Sequence, residues 1–182
     1  ALEYKKMLHV NDQLVIGHVG NFVQEKNHSF ILKVFKEVKE TEKNAVLILV
    51  GGGKTTEFQQ EAKDLNIEEA VYFLGVRNDV EHVLQAMDIF LFPSTNEGLP
   101  VTLIEAQASG LRIFASDDIS KELNITGLVS FIALSESPAF WANQILEHQT
   151  YDRKNTSHQI VARNYDIKSN AEMLQAFYLK NN

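Results

Sequence analysis

Glu97 and Glu105 bracket the stretch Glu-Gly-Leu-Pro-Val-Thr-Leu-Ile-Glu, with seven residues between them. Pro100 is a favoured first helical residue, and the pattern predicts a helix from there to Ser109, closed by Gly110. The N–H groups of its first turn, near Leu99 to Leu103, have the positive end of the helix dipole behind them. Such a turn suits a phosphate. Carboxylates beside a phosphate repel it, so the chemistry open to Glu97 and Glu105 is accepting hydrogen bonds from hydroxyls. One acid could hold a ribose and the other a transferred sugar, by the logic of the ribose-binding acid in dinucleotide folds. The plainer alternative is one acid favoured by the macrodipole and a second that is simply solvated.

Other chemistries lose ground. Gly17-His18-Val19-Gly20-Asn21 lacks the G-x-G-x-x-G spacing of a dinucleotide fingerprint. Gly51-Gly52-Gly53-Lys54-Thr55 lacks the first glycine of a phosphate-binding P-loop. No D-x-D occurs, and no histidine pair has metal-ligand spacing, so no metal is expected. His18 lies inside an apolar run and reads as a packed core histidine, and His28 reads as a helix-start residue. Trp141 falls in a helical apolar pattern, where packing is its default role.

The elements that must position these residues alternate along the chain. Strands are predicted at residues 14–20, 45–50, 71–74, 88–92, 112–115 and 128–133. The first is too continuously apolar for a sheet with one wet face. Helices are predicted at 27–42, 55–65, 79–87, 100–109 and 137–149, the last burying Phe140, Trp141, Ile145 and Leu146. The tail from 156 to 180 should hold one or two helices, with Met173, Leu174, Phe177 and Tyr178 on a packed face. This alternation predicts an α/β fold: a Rossmann-like, doubly wound parallel sheet of about six strands with helices on both faces. Its crevice lies beyond the carboxyl ends of the strands, where Gly20, Gly51, Gly52, Gly53, Gly75 and Gly98 collect.

Composition agrees. The chain has 182 residues, 45% of them hydrophobic and 23% charged, which suits one globular domain. We expect a lead-in helix or hinge remnant at 1–12, a core at 13–150 and C-terminal helices at 151–182. A net charge of −7 argues against a nucleic-acid partner, although a local basic pocket is compatible with it. The absence of cysteine removes thiol catalysis, disulfides and Cys-ligated zinc together. There is no apolar run long enough for a transmembrane segment, and the start is too polar for a signal peptide, so a cytoplasmic location is expected.

Several motifs together carry a resemblance. Glu97 to Glu105 is similar to the E-x7-E element of retaining GT-B glycosyltransferases of family 4. Val19-Gly20-Asn21-Phe22 with Lys26-Asn27-His28 resembles that family's G-R-(L/F)-x-x-x-K segment. Val50-Gly51-Gly52-Gly53, Phe73-Leu74-Gly75, Asp88 to Ser94 and Ser109-Gly110-Leu111 follow in family order over about residues 13 to 150. The segment order also resembles that of bacterial capsular or exopolysaccharide glycosyltransferases.

The resemblance implies the C-terminal, donor-binding half of a two-domain enzyme whose acceptor-binding N-terminal domain is absent. It implies a UDP- or GDP-sugar donor and no further cofactor. The acceptor would be a glycan or a lipid-linked sugar in surface polysaccharide biosynthesis. The isolated domain would then be inactive, and any membrane association at the inner face would run through the missing domain. Glu97 would hydrogen-bond the transferred sugar, Glu105 the ribose, and Lys26 would neutralise the diphosphate. Gly20 and Asn21 would border the diphosphate, and the backbone N–H groups of Gly98, Leu99 and Thr102 would meet sugar and phosphates. Val76 and Arg77 would lie near the base.

One departure stands out. Asn21 occupies the place of the family's usual Arg, and it can donate a hydrogen bond but brings no charge. A substitute cation such as Arg77, a weakened donor site, a non-catalytic nucleotide-sugar-binding module or another GT-B enzyme such as an epimerase are the alternatives this leaves.

Overall fold

A computed structural model describes residues 2–165, 171 and 175–179. Six strands form one sheet: β1 (Leu14–Val19), β2 (Ala45–Val50), β3 (Val71–Gly75), β4 (Ile89–Phe92), β5 (Arg112–Ser116) and β6 (Val129–Ile132). Every pairing is parallel and the spatial order is β3-β2-β1-β4-β5-β6. The chain winds outward from β1 to β3, then returns to place β4 on the other side of β1. That return creates the switch point between β1 and β4 where ligands of such sheets bind.

Helices cover both faces, which is why the strands are apolar on both sides. They are α1 (Leu2–Met7), α2 (His28–Thr41), α3 (Thr56–Asp64), α4 (Val80–Ala86), α5 (Val101–Ala108), α6 (Pro138–His148) and α7 (Ser157–Ala162). Strand side chains alternate between two cores. Ile16, Leu47, Leu49 and Leu91 pack with Ile31, Phe35 and Trp141 on the α2/α6 face. Val15, Val46, Ile48 and Phe92 pack with Val83, Leu84 and Leu103 on the α4/α5 face.

Three expectations change. Phe140 is 42% exposed, because Ser137 caps α6 by accepting the Phe140 N–H and turns that ring outward, while Trp141 and Ile145 are buried. Pro100 is not helical; its ψ is 84°, and it is the residue before α5, its carbonyl accepting from Leu103 and Ile104. Phe177 and Tyr178 are exposed and meet each other edge to face, while Met173 and Leu174 lie outside the described residues.

Candidate functional site

The tips of β1, β2 and β3 are tied together by backbone bonds. Gly20 N–H donates to Val50, Phe22 N–H to Gly52 and Gly51 N–H to Gly75. The approach is close enough that a Cβ on Gly51 would lie 2.0 Å from the Gly20 carbonyl oxygen. Only glycine allows that contact. Asn21 contributes to the same tie, its exposed side chain accepting the Gly52 N–H at 3.0 Å.

Beyond Gly20 the chain makes a short turn, Gln24–Lys26, that aims Lys26 across the switch point. The Lys26 ammonium donates to Glu97 Oε1 at 2.5 Å, with both side chains largely sheltered at 18% and 12% exposure. It also lies 5.3 Å from the centre of the Phe92 ring at the end of β4. The two loops are pinned together: Thr95 N–H donates to the Glu25 carbonyl at 2.9 Å, and the Asn27 amide donates to the Pro93 carbonyl at 3.3 Å. The two ends of the Lys26–Glu97 bond are therefore fixed by backbone, 71 residues apart in sequence.

The loop then enters α5. Among the described residues, none takes the backbone N–H of Gly98 or Leu99, and both residues are exposed. Two hydroxyls beside this opening, those of Ser94 and Thr102, are buried without a hydrogen-bond partner. Buried unpaired polar atoms are uncommon and mark a place where a partner belongs. The Ser94 hydroxyl went unnoticed in the sequence. Its only signal was its position just past the carboxyl end of a strand.

Glu105 follows Thr102 by three residues, on the same face of α5. Partial burial, and then the carboxylate of Glu81 on α4, raise its pKa above the usual carboxylate value. A second acid near Glu105 was not foreseen. Arg77 follows β3 and is paired within its own loop. Its guanidinium grips Asp79 through two bonds of 2.8 and 2.6 Å, in a hollow shared with Tyr4 and His82. That pairing raises its pKa further, and it would have to open before Arg77 could replace the charge missing at Asn21.

His18 is a core residue, as expected, at 0% exposure. Its Nδ1 donates to the Leu91 carbonyl at 2.9 Å, which leaves a lone pair on Nε2. Burial, and then His28, lower its pKa to about 3. His28 does begin α2, but it is buried rather than surface-facing, stacked on Phe22 with ring centres 4.2 Å apart. Burial, and then Lys26, lower its pKa to about 4. Both imidazoles are neutral at pH 7, so neither competes with Lys26 as a cation.

The sheet is thus doubly wound in the order 3-2-1-4-5-6, and a lysine–acid pair and a helix N-terminus meet at its switch point. The chain belongs to the family described as Glycosyl transferases group 1, whose model matches residues 2–145. It is 41% identical over 136 residues to the putative glycosyltransferase EpsF of Bacillus subtilis, covering 74% of this chain and 35% of that protein. An Escherichia coli UDP-Gal:alpha-D-GlcNAc-diphosphoundecaprenol alpha-1,3-galactosyltransferase is 31% identical over 113 residues, 58% of this chain and 28% of its own. The chain thus spans about a third of the length of the curated relatives it matches. Among solved structures, Anabaena HepE in complex with UDP and glucose superposes with a TM-score of 0.76 at 21% identity, covering 96% of this chain and 52% of that one. That likeness concerns the fold.

Proposed function

We propose that this chain is the donor-binding domain of a retaining glycosyltransferase. The full enzyme would move a sugar from a nucleoside-diphosphate sugar to a glycan or lipid-linked acceptor in surface polysaccharide biosynthesis. The observation that carries the reading is the Lys26–Glu97 pair set beside the open N–H groups of Gly98 and Leu99. A cation and a helix N-terminus face the charge that develops on a leaving diphosphate, and a carboxylate stands where a sugar hydroxyl would lie. Glu105, with its raised pKa, suits a ribose diol better than it suits a cation partner. The UDP-containing neighbour and the galactosyltransferase relative favour a UDP-sugar over a GDP-sugar.

We read the transfer as displacement on one face of the sugar, with no covalent intermediate on a side chain. The bond from C1 to the β-phosphate oxygen breaks as the acceptor oxygen bonds to C1 on the same face. The acceptor proton passes to a phosphate oxygen. Lys26 neutralises the departing charge, and the first turn of α5 solvates it with fixed N–H groups. The reacting end of the acceptor would be held by a second domain.

Calorimetric titration of the domain with UDP and with GDP tests the donor role. We expect UDP binding with the tighter affinity, and Glu105→Ala to weaken it by about tenfold, the loss of charge-assisted bonds to a diol. Failure of both nucleotides to bind at millimolar concentration would sink the reading, and an unchanged affinity in Glu105→Ala would remove the ribose role.

A further inference from the structure

A second opening lies behind the turn that carries Lys26. It is a cleft of about 370 Å³ between the first turns of α2 and α3, lined among others by Phe22, His28, Glu57, Phe58 and Glu61. Gln24 and Asn27 close one side, so the segment 24–27 is a wall shared with the Lys26–Glu97 site. Lys26, Glu97 and Glu105 do not line it.

Its chemistry differs from that of the diphosphate site. Glu57 and Glu61 are one helical turn apart on α3, where a phosphate would be repelled. Glu61 already accepts the Ser29 hydroxyl at 2.6 Å and has Lys33 at 3.8 Å, so it is held in place. His28 is 1% exposed, and neither of its ring nitrogens has a partner. A neutral imidazole has one N–H and one lone pair, and it asks for a ligand that both donates and accepts. A hydroxyl does both. Phe58, half-buried and backed by the buried Phe22 with ring centres 5.5 Å apart, supplies an apolar wall against which the C–H face of a pyranose can pack. Among the described residues, no group of three His, Asp or Glu side chains is arranged to hold a metal ion. Hydroxyls, an apolar face and no negative charge are together the signature of an uncharged sugar.

We propose that this cleft is a saccharide subsite on the donor domain, holding an uncharged sugar residue of the acceptor glycan next to the transfer site. The assignment to an acceptor rests on the glycosyltransferase reading above. The shared wall gives the subsite a direct mechanical link to transfer, because a sugar seated against Asn27 and His28 presses on the segment that aims Lys26.

Amide and side-chain NMR shift mapping of the 182-residue chain tests it, with maltotriose, cellotriose and chitotriose as probes, each with and without UDP. The expected result is millimolar binding of at least one trisaccharide, with shifts at Phe22, His28 and Phe58. UDP should instead move Gly98, Leu99 and Thr102. In the double variant Glu57→Gln, Glu61→Gln the trisaccharide affinity should fall by about tenfold or more, with UDP affinity unchanged within about twofold. UDP binding with no cleft shifts from any trisaccharide overturns the subsite and leaves the donor reading standing. Cleft shifts without UDP binding have the opposite effect: the saccharide site stands and its link to transfer falls. Shifts confined to the α5 side, or an unaltered trisaccharide affinity in the double variant, also overturn the subsite.

Discussion

Lys26 and Glu97 are bonded to one another, and on the proposed reading each is the partner that the other would leave when a donor arrives. This makes the two residues separable by sign. Lys26→Met removes the cation assigned to the diphosphate and should weaken UDP binding by about tenfold to a hundredfold. Glu97→Gln removes a neighbouring negative charge and releases Lys26, so UDP should bind slightly tighter while sugar transfer by the full enzyme is lost. Calorimetry on both variants checks the pair; weaker UDP binding in Glu97→Gln would contradict the assigned roles. In the sequence Glu97 stands out by its place just before a predicted helix, and Lys26 only through the resemblance of its segment to the family's. The bond between them was not legible, since it depends on two loops 71 residues apart meeting at the switch point. Ser94 and Thr102 were still less legible as hydroxyl sites, because a serine or threonine in a loop or first helical turn carries no periodic signal of burial.

Helix α5 is tied to the loop after β5 by a buried polar side chain. Gln107 is fully buried. Its amide donates to the Leu123 carbonyl at 2.8 Å, and its carbonyl oxygen accepts from the N–H groups of Ile125 and Thr126 and from the Thr126 hydroxyl. One side chain thus bonds three residues of the loop, Leu123, Ile125 and Thr126. Substitution Gln107→Leu keeps the bulk but leaves the Thr126 N–H without its partner, while the Ile125 N–H keeps the Leu123 carbonyl, and it should destabilise the domain by about 1–3 kcal/mol in urea or guanidinium unfolding. A loss below about 0.5 kcal/mol would mean that water satisfies the loop equally well. Strands were the most readable elements, since six short apolar runs ended in glycine, proline or polar turns. Helix ends were less so. Pro100 was expected inside α5, yet its ψ of 84° makes it the last extended residue, whose carbonyl opens the helix instead. Phe140 turned outward because the N-cap fixes the phase of the first turn of α6, and apolar character alone does not.

The domain as a unit holds two neutral histidines in its interior, and this gives its stability a defined response to acid. His18 and His28 ordinarily titrate at 6.5, and burial depresses them to about 3 and about 4 in the folded chain. As pH falls below 6.5 the unfolded chain takes up protons that the folded chain refuses. Their contribution is therefore full above pH 6.5 and is lost as pH falls toward 4, at up to about 1.4 kcal/mol per pH unit for each histidine. Urea unfolding between pH 7 and pH 4 should show this slope, and His28→Phe should reduce it; an unaltered slope in the variant would show that carboxylates govern acid stability.

The strand tips carry a consequence for measurement. Gly20, Gly51 and Phe22 donate their amides into the neighbouring tips, whereas Gly98 and Leu99 leave theirs open to water. Deuterium should therefore enter the floor of the crevice only through large openings of the sheet, and enter the mouth of α5 almost at once. Addition of UDP should slow the second set and leave the first unchanged. The domain thus has its own internal standard: a slow floor against which a ligand at its mouth can be timed, with no label attached to either.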